Sequence, residues 1–162
     1  RDGEVSLLFS GLAIPNAICF SPDGATGYFA DTSENALYRV SIDPATGLPV
    51  GPPAILHKRE AAGGLDGAVT DEQGLIWCAI WGGGCVDVYS PSGDRLRSIA
   101  MPARQPSCPV FVGRRFDHLL VTSAYEAMTA DARAADPDHG RTFRAEVGAI
   151  GRAEPCLRWG GS

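Results

Sequence analysis

Two stretches decide the fold. The first is Ala17-Ile18-Cys19-Phe20, the turn Ser21-Pro22-Asp23-Gly24, Tyr28-Phe29-Ala30-Asp31, and then Ala36-Leu37-Tyr38-Arg39-Val40-Ser41-Ile42 with a last strand near Pro53 to His57. The second repeats the plan: Ala68-Val69-Thr70, the turn Asp71-Glu72-Gln73-Gly74, Leu75 to Trp81, Cys85-Val86-Asp87-Val88-Tyr89, and finally Arg95 to Ala100. A third copy runs from Pro109-Val110-Phe111-Val112 through Gly113-Arg114-Arg115 to Leu119-Leu120-Val121-Thr122-Ser123, then, after an insertion, to Thr142 through Val147. Short apolar runs separated by turns made with Gly, Pro, Asp and Ser read as strands. Matching Tyr28 to Trp77 to Leu120 gives offsets of 49 and 43 residues, a period that suits four-stranded propeller blades. The predicted class is all-β, a β-propeller, with about three four-stranded blades near 14–60, 61–104 and 105–162. Residues 1–12 are expected as the outer strand of a preceding blade.

Composition agrees. The 162 residues are 44% hydrophobic and 20% charged, enough to bury one core. Twenty Gly and twelve Pro are spread along the chain, which cuts it into many short elements and excludes a helical bundle. Net charge is −5 and no basic stripe is present, so nucleic acid is not an expected partner. Nothing reads as a membrane span or a leader, and a soluble, cytoplasmic chain with no membrane partner is expected. Cys19, Cys78, Cys85, Cys108 and Cys156 are an odd set with no C-x-x-C pair, and they read as buried small hydrophobes in a reducing compartment. The Ala-rich stretch at 130–135 is expected to wind one helical turn before Pro137.

Three blades cannot close a ring, because each end of an open stack leaves an uncovered blade face. Either the chain is half of a longer protein or two copies assemble. The partner expected for it is therefore the missing N-terminal half or a second copy of the chain.

Asn16 and Asp66 stand at equivalent points, each just ahead of the first strand of its blade. First strands line the central channel of a propeller, so the two side chains converge near the axis. Two oxygen donors there suit a hard cation such as Ca²⁺. Pro-Asn and Asp-Gly are also ordinary turn dipeptides, and spacing alone leaves that reading open. The string Asp31 to Ala36 lacks the Gly and terminal Glu of an EF-hand and reads as a turn. A serine nucleophile at Ser123 has no His at a comparable strand end.

The run Pro15-Asn16-Ala17-Ile18-Cys19-Phe20-Ser21-Pro22-Asp23-Gly24, the run from Asp66-Gly67 through Trp77 and Trp81 to Gly84, and the run Gln105-Pro106-Ser107 to Gly113 with Leu119 to Ala124 strongly resemble the senescence marker protein, regucalcin and gluconolactonase family. The resemblance covers essentially the whole chain. It implies the C-terminal half of a six-bladed propeller acting as a metal-dependent lactonase or esterase on small-molecule lactones or esters. It also implies that Asn16 and Asp66 are metal ligands and that Asp66 is the catalytic base. The ion expected is a single divalent metal, Ca²⁺ first, with Zn²⁺, Mg²⁺ or Mn²⁺ as alternatives. The family's third ligand, a Glu, and its substrate-binding Arg and Asn would lie in the missing half. Ala17 stands where the family usually has Gly, and Gly27 where it has a large apolar residue. Antiparallel geometry puts Asp31, Thr32, Trp81, Ser123 and Tyr125 on the same face as Asn16 and Asp66; of these, Asp31, Trp81, Ser123 and Tyr125 are the substrate-pocket candidates. A non-catalytic binding scaffold is the alternative function.

Overall fold

A computed structural model describes residues 5–154. It contains three antiparallel sheets. The first has the order β1 (Pro15–Phe20), β2 (Thr26–Asp31), β3 (Ala36–Ile42), β4 (Pro49–Lys58). The second has β5 (Gly64–Thr70), β6 (Ile76–Trp81), β7 (Cys85–Tyr89), β8 (Arg95–Ala100). The third pairs β9 (Pro106–Val112), β10 (His118–Ser123) and β11 (Thr142–Ala145), three strands among the described residues. One short helix, α1 (Ala130–Ala135), interrupts the third blade. Thr129 caps it by accepting from the Ala132 N–H, and it stops at Asp136 ahead of Pro137, as the sequence predicts. No helix among the described residues is long and apolar enough to cross a membrane.

The sheets stack face to face with their first strands side by side, β1 against β5 and β5 against β9. The Thr70 hydroxyl donates to Phe20 O at 2.6 Å at one end of the β1–β5 seam, and the Thr32 hydroxyl donates to Leu65 O at 2.6 Å at the other. Alternation in each strand sends successive side chains to opposite neighbours. Tyr28, Ala30 and Leu37 of the first blade meet Ile76, Cys78, Ile80 and Tyr89 of the second. On its other side the second blade presents Trp77, Val86 and Val88 to Phe111, Leu119 and Val121 of the third. The middle blade is thus buried on both faces, which is why β6 is an unbroken apolar run where an exposed strand would alternate. Between the first two blades Arg59 and Asp87 form a buried ion pair, with the Tyr89 hydroxyl 3.4 Å from the same carboxylate oxygen. The segment 148–151 crosses beneath the stack, with Ile150 O accepting from Glu72 N and Gly151 N donating to Phe116 O.

The first blade's other face is open. Among the described residues Phe29, Val40 and Ile42 are covered by Phe9, Leu12 and Tyr38, and a mostly apolar hollow of about 460 Å³ lies there, lined in part by Leu7, Leu8, Ile18 and Phe20. Among the described residues its lining holds no carboxylate, amine or imidazole. Gly27 sits on this face; a Cβ there would lie 3.2 Å from Ile42 Cδ1, so Ile42 fills the space a larger residue would take.

Residues 5–12, expected as the outer strand of a preceding blade, form no strand among the described residues, and Arg1–Glu4 lie outside them. Nor are the cysteines uniformly buried: Cys19 and Cys78 are, Cys85 is partly so, and Cys108 on β9 is exposed. Cys156, with the end of the third predicted blade, also lies outside the described residues.

Candidate metal centre

Tyr28, Trp77 and Leu120 pair across their ladders with Cys19, Val69 and Val110. Three residues before each of these inner-strand partners stand Asn16, Asp66 and Ser107. The structure therefore brings Asn16 and Asp66 to the same position of adjacent inner strands, and adds Ser107 as the third-blade counterpart. Each ladder slips by one residue there: between Asn16 and Cys19, between Leu65 and Ala68, and between Thr122 and Ser123 opposite Pro106 to Cys108. A bulge of this kind bends the strand and re-aims a side chain. In the first blade the residue after Asn16, Ala17, has φ 58°, the left-handed conformation that glycine adopts freely and alanine does not. In the second blade the corresponding Gly67 is required for space: a Cβ would lie 2.7 Å from Ser107 O and 3.0 Å from Cys108 Cα.

Asn16 is half-buried, and its amide Nδ2 donates to Thr32 Oγ1 at 2.9 Å. Its Oδ1 accepts no hydrogen bond among the described residues. Asp66 is also half-buried. Burial pushes its carboxyl above the ordinary carboxylate range, with only the Gly67 amide pulling the other way. A carboxylate in this setting is short of positive charge, and an oxygen-binding cation is what would supply it. The donor set, one amide oxygen and one carboxylate with no cationic partner among the described residues, fits such an ion but does not enclose it. Among the described residues no three His, Cys, Asp or Glu side chains form a cage.

The other predicted site residues are spent differently. Asp31 is buried, and its two oxygens accept from Ala13 N (2.8 Å), Ile14 N (3.1 Å), Ser33 N (3.0 Å) and the Ser33 hydroxyl (2.7 Å). These bonds hold its carboxyl down at about 2. The Asp31–Asn35 turn is a clasp on the chain leading into β1, with Asp31 at its centre. Ser123 donates to Arg141 O at 2.7 Å, tying β10 to the end of the insertion. Tyr125 is half exposed and carries the Arg133 guanidinium over its ring at 4.2 Å. Trp81 ends β6 opposite Gly64, two residues from Asp66, and is half-buried. Of the four pocket candidates only Trp81 lies on the strand paired with β5, which carries Asp66. Two residues that the sequence underrated are Thr32, which touches both strands of the site, and Ser107, whose hydroxyl lies 2.8 Å from Thr122 Oγ1. The repeat spacing that links Asn16 to Asp66 also reaches Ser107 once the insertion is set aside.

Thiol and serine nucleophiles find no support. Burial pushes Cys19 up to about 12 and raises Cys78, which keeps these thiols protonated. The three histidines are engaged elsewhere: His57 with Gly93 O, His118 with Asp117, His139 with Asp136.

The sequence model of the SMP-30/Gluconolactonase/LRE-like region matches residues 1–125. The chain is 55% identical over 156 residues to a putative sugar lactone lactonase of Rhizobium meliloti, covering 96% of this chain and 53% of that protein. It is 33% identical to a pentonolactonase of Haloferax volcanii, covering 94% and 54%. Among solved structures it matches a calcium-binding protein, regucalcin, from Agrobacterium tumefaciens, with a TM-score of 0.93 and 46% identity over 97% of this chain and 54% of that one. The chain thus spans about half the length of the relatives it matches. With these matches, the repeated blades and the paired bulges, the chain belongs to the SMP-30/gluconolactonase/LRE-like family.

Proposed function

We propose that this chain carries one half of the site of a sugar-lactone hydrolase, in which Asn16 Oδ1 and the Asp66 carboxylate hold a divalent cation, Ca²⁺ first. The observation that carries the reading is the pair of uncommitted oxygen donors at matched bulges of adjacent inner strands, in a chain 55% identical to a putative sugar lactone lactonase.

When bound, the cation would polarise the lactone carbonyl and acidify a water. Asn16, neutral and anchored through its Nδ2, contributes direction without charge. Asp66 contributes charge, and its carboxylate is the group that takes a proton from the attacking water. The burial that raises its pKa moves it toward a useful base, whereas ligation of a cation lowers it, so the two effects oppose. Trp81 forms one wall beside Asp66. Further ligands and the substrate-binding groups belong to the rest of the ring, supplied by the remainder of a longer chain or by a second copy. The open apolar face of the first blade supports an incomplete ring, since burying Leu7, Ile18 and Phe20 against another blade removes them from water.

The test is hydrolysis of sugar lactones by the full-length protein. Activity is expected to vanish with chelator and to fall by about 10²–10⁴-fold in Asn16→Ala and in Asp66→Ala. Unchanged turnover in all three overturns the reading.

A further inference from the structure

We propose that Thr32 is a positioning residue that fixes which end of the Asn16 carboxamide faces the ion; the inference rests on the site proposed above. Thr32 Oγ1 makes two hydrogen bonds, one with Asn16 Nδ2 at 2.9 Å and one with Leu65 O at 2.6 Å. A hydroxyl owns a single proton, and a backbone carbonyl can only accept. The proton therefore goes to Leu65 O, and toward Asn16 the hydroxyl oxygen is an acceptor only. Only the NH₂ end of the amide can satisfy it. Turning the amide over would set two acceptors face to face, and so Oδ1 is directed away from Thr32.

The hydroxyl is itself held. Thr32 N donates to Ile14 O at 2.9 Å. Gly64 leaves room for the Thr32 methyl, since a Cβ there would lie 2.6 Å from Thr32 Cγ2. Asn35, at the other end of the same turn, accepts from Leu65 N at 3.1 Å and donates to Gly63 O at 3.0 Å. One turn thus fixes the strand leading to Asp66, and one hydroxyl on it bridges from that strand to Asn16. Leu65 directly precedes Asp66, so the link sets the two donors relative to each other as well as orienting the amide. Groups that orient a metal ligand in this way change affinity by about 10–100-fold when removed.

The experiment measures Ca²⁺ binding to the full-length protein by calorimetry. Thr32→Val keeps the shape and removes the acceptor, and is expected to weaken binding by about 10–100-fold; Thr32→Ser keeps the hydroxyl and binds as the parent does. Asn16→Asp presents an oxygen whichever way it rotates, so adding Thr32→Val to it is expected to cost less than it does in the parent, the remainder being the lost link to Leu65 O. Parent-like binding by Thr32→Val, or an equal loss in both backgrounds, overturns the proposal, the latter because Thr32 would then merely join the strands.

Should Thr32→Val fail to fold, the side-chain amide protons of Asn16 in the parent protein give the answer by NMR. Protection from exchange before Ca²⁺ is added supports an oriented amide, and protection only after it overturns one. If Asn16→Ala and Asp66→Ala both bind Ca²⁺ like the parent, the site reading falls and this one with it. If they lose binding while Thr32→Val does not, only the role of Thr32 falls.

Discussion

Asn16 and Asp66 occupy the same place in neighbouring blades and are held in opposite ways. Asn16 is tied through its amide to Thr32 and followed by Ala17 at φ 58°. Asp66 is tied by no side chain among the described residues, and it is followed by Gly67, whose missing Cβ lets the backbone of β9 come close. A neutral amide can be pinned by one hydrogen bond and still offer its oxygen. A half-buried carboxylate held by a protein cation would have its charge already neutralised, whereas leaving it unpaired raises its pKa. On the proposed reading, the first blade supplies direction and the second supplies charge.

The largest expected effect comes from exchanging the two chemistries. Asp66→Asn in the full-length protein removes the charge and the proposed base, and kcat/KM for a sugar lactone is expected to drop by about 10²–10⁴-fold. Asn16→Asp keeps an oxygen donor in place, so its loss should not exceed the roughly tenfold lower end of what orienting partners contribute. Equal losses would break the asymmetry. Gly67→Ala comes next. Its new methyl would meet Ser107 O and Cys108, backbone that cannot swing aside, and overpacking of this kind costs about 1–3 kcal/mol. A denaturation midpoint equal to the parent's would show that β5 and β9 are less tightly apposed than described.

Much of this was legible in the sequence. Turn residues recurring between short apolar runs gave the blades, and the 50-residue separation of Asn16 and Asp66 gave their equivalence. Hidden from view were the consequences of register and of long-range bonding. Thr32 meets Leu65 across 33 positions, and no local pattern announces that its hydroxyl proton is committed there. Asp31 looked like a pocket residue because a strand end faces the site; its oxygens are instead consumed by the segment before β1, an irregular stretch without a pattern. Cys108 looked like core because its neighbours are apolar, but it sits on inner strand β9 and lines a hollow shared with Ile18, Phe20 and Ala68 of the other inner strands.

Asp31 also makes a pH prediction that isolates the lead-in to Asn16 from the Asp66 side. Its carboxyl is held at about 2 against an ordinary 3.8 by the amides of Ala13, Ile14 and Ser33 and by the Ser33 hydroxyl. A folded-state pKa below the unfolded one means that the stabilisation is present above 3.8 and is lost as pH falls through about 2. Asp31→Asn should therefore be less stable than the parent at neutral pH, and the gap should close over that acidic window. A gap independent of pH would mean that the charge of Asp31 does not act on the turn.

The smallest effect is expected at Ala17, and it separates conformation from packing. Holding alanine in the left-handed region costs about 1–2 kcal/mol, which Ala17→Gly would relieve. Against that, glycine carries about 0.5–1 kcal/mol of extra backbone freedom in the unfolded chain. The Ala17 methyl is 2% exposed, and its burial contributes about 0.8 kcal/mol. These opposing quantities nearly cancel, so the midpoint should move little. Cation affinity should stay where it was, since the Thr32 bond and not the residue after Asn16 sets the amide. A glycine variant that binds Ca²⁺ markedly more tightly than the parent would mean that strain at Ala17 holds Asn16 away from its working position, and the division of labour between the two blades would need redrawing around the bulge.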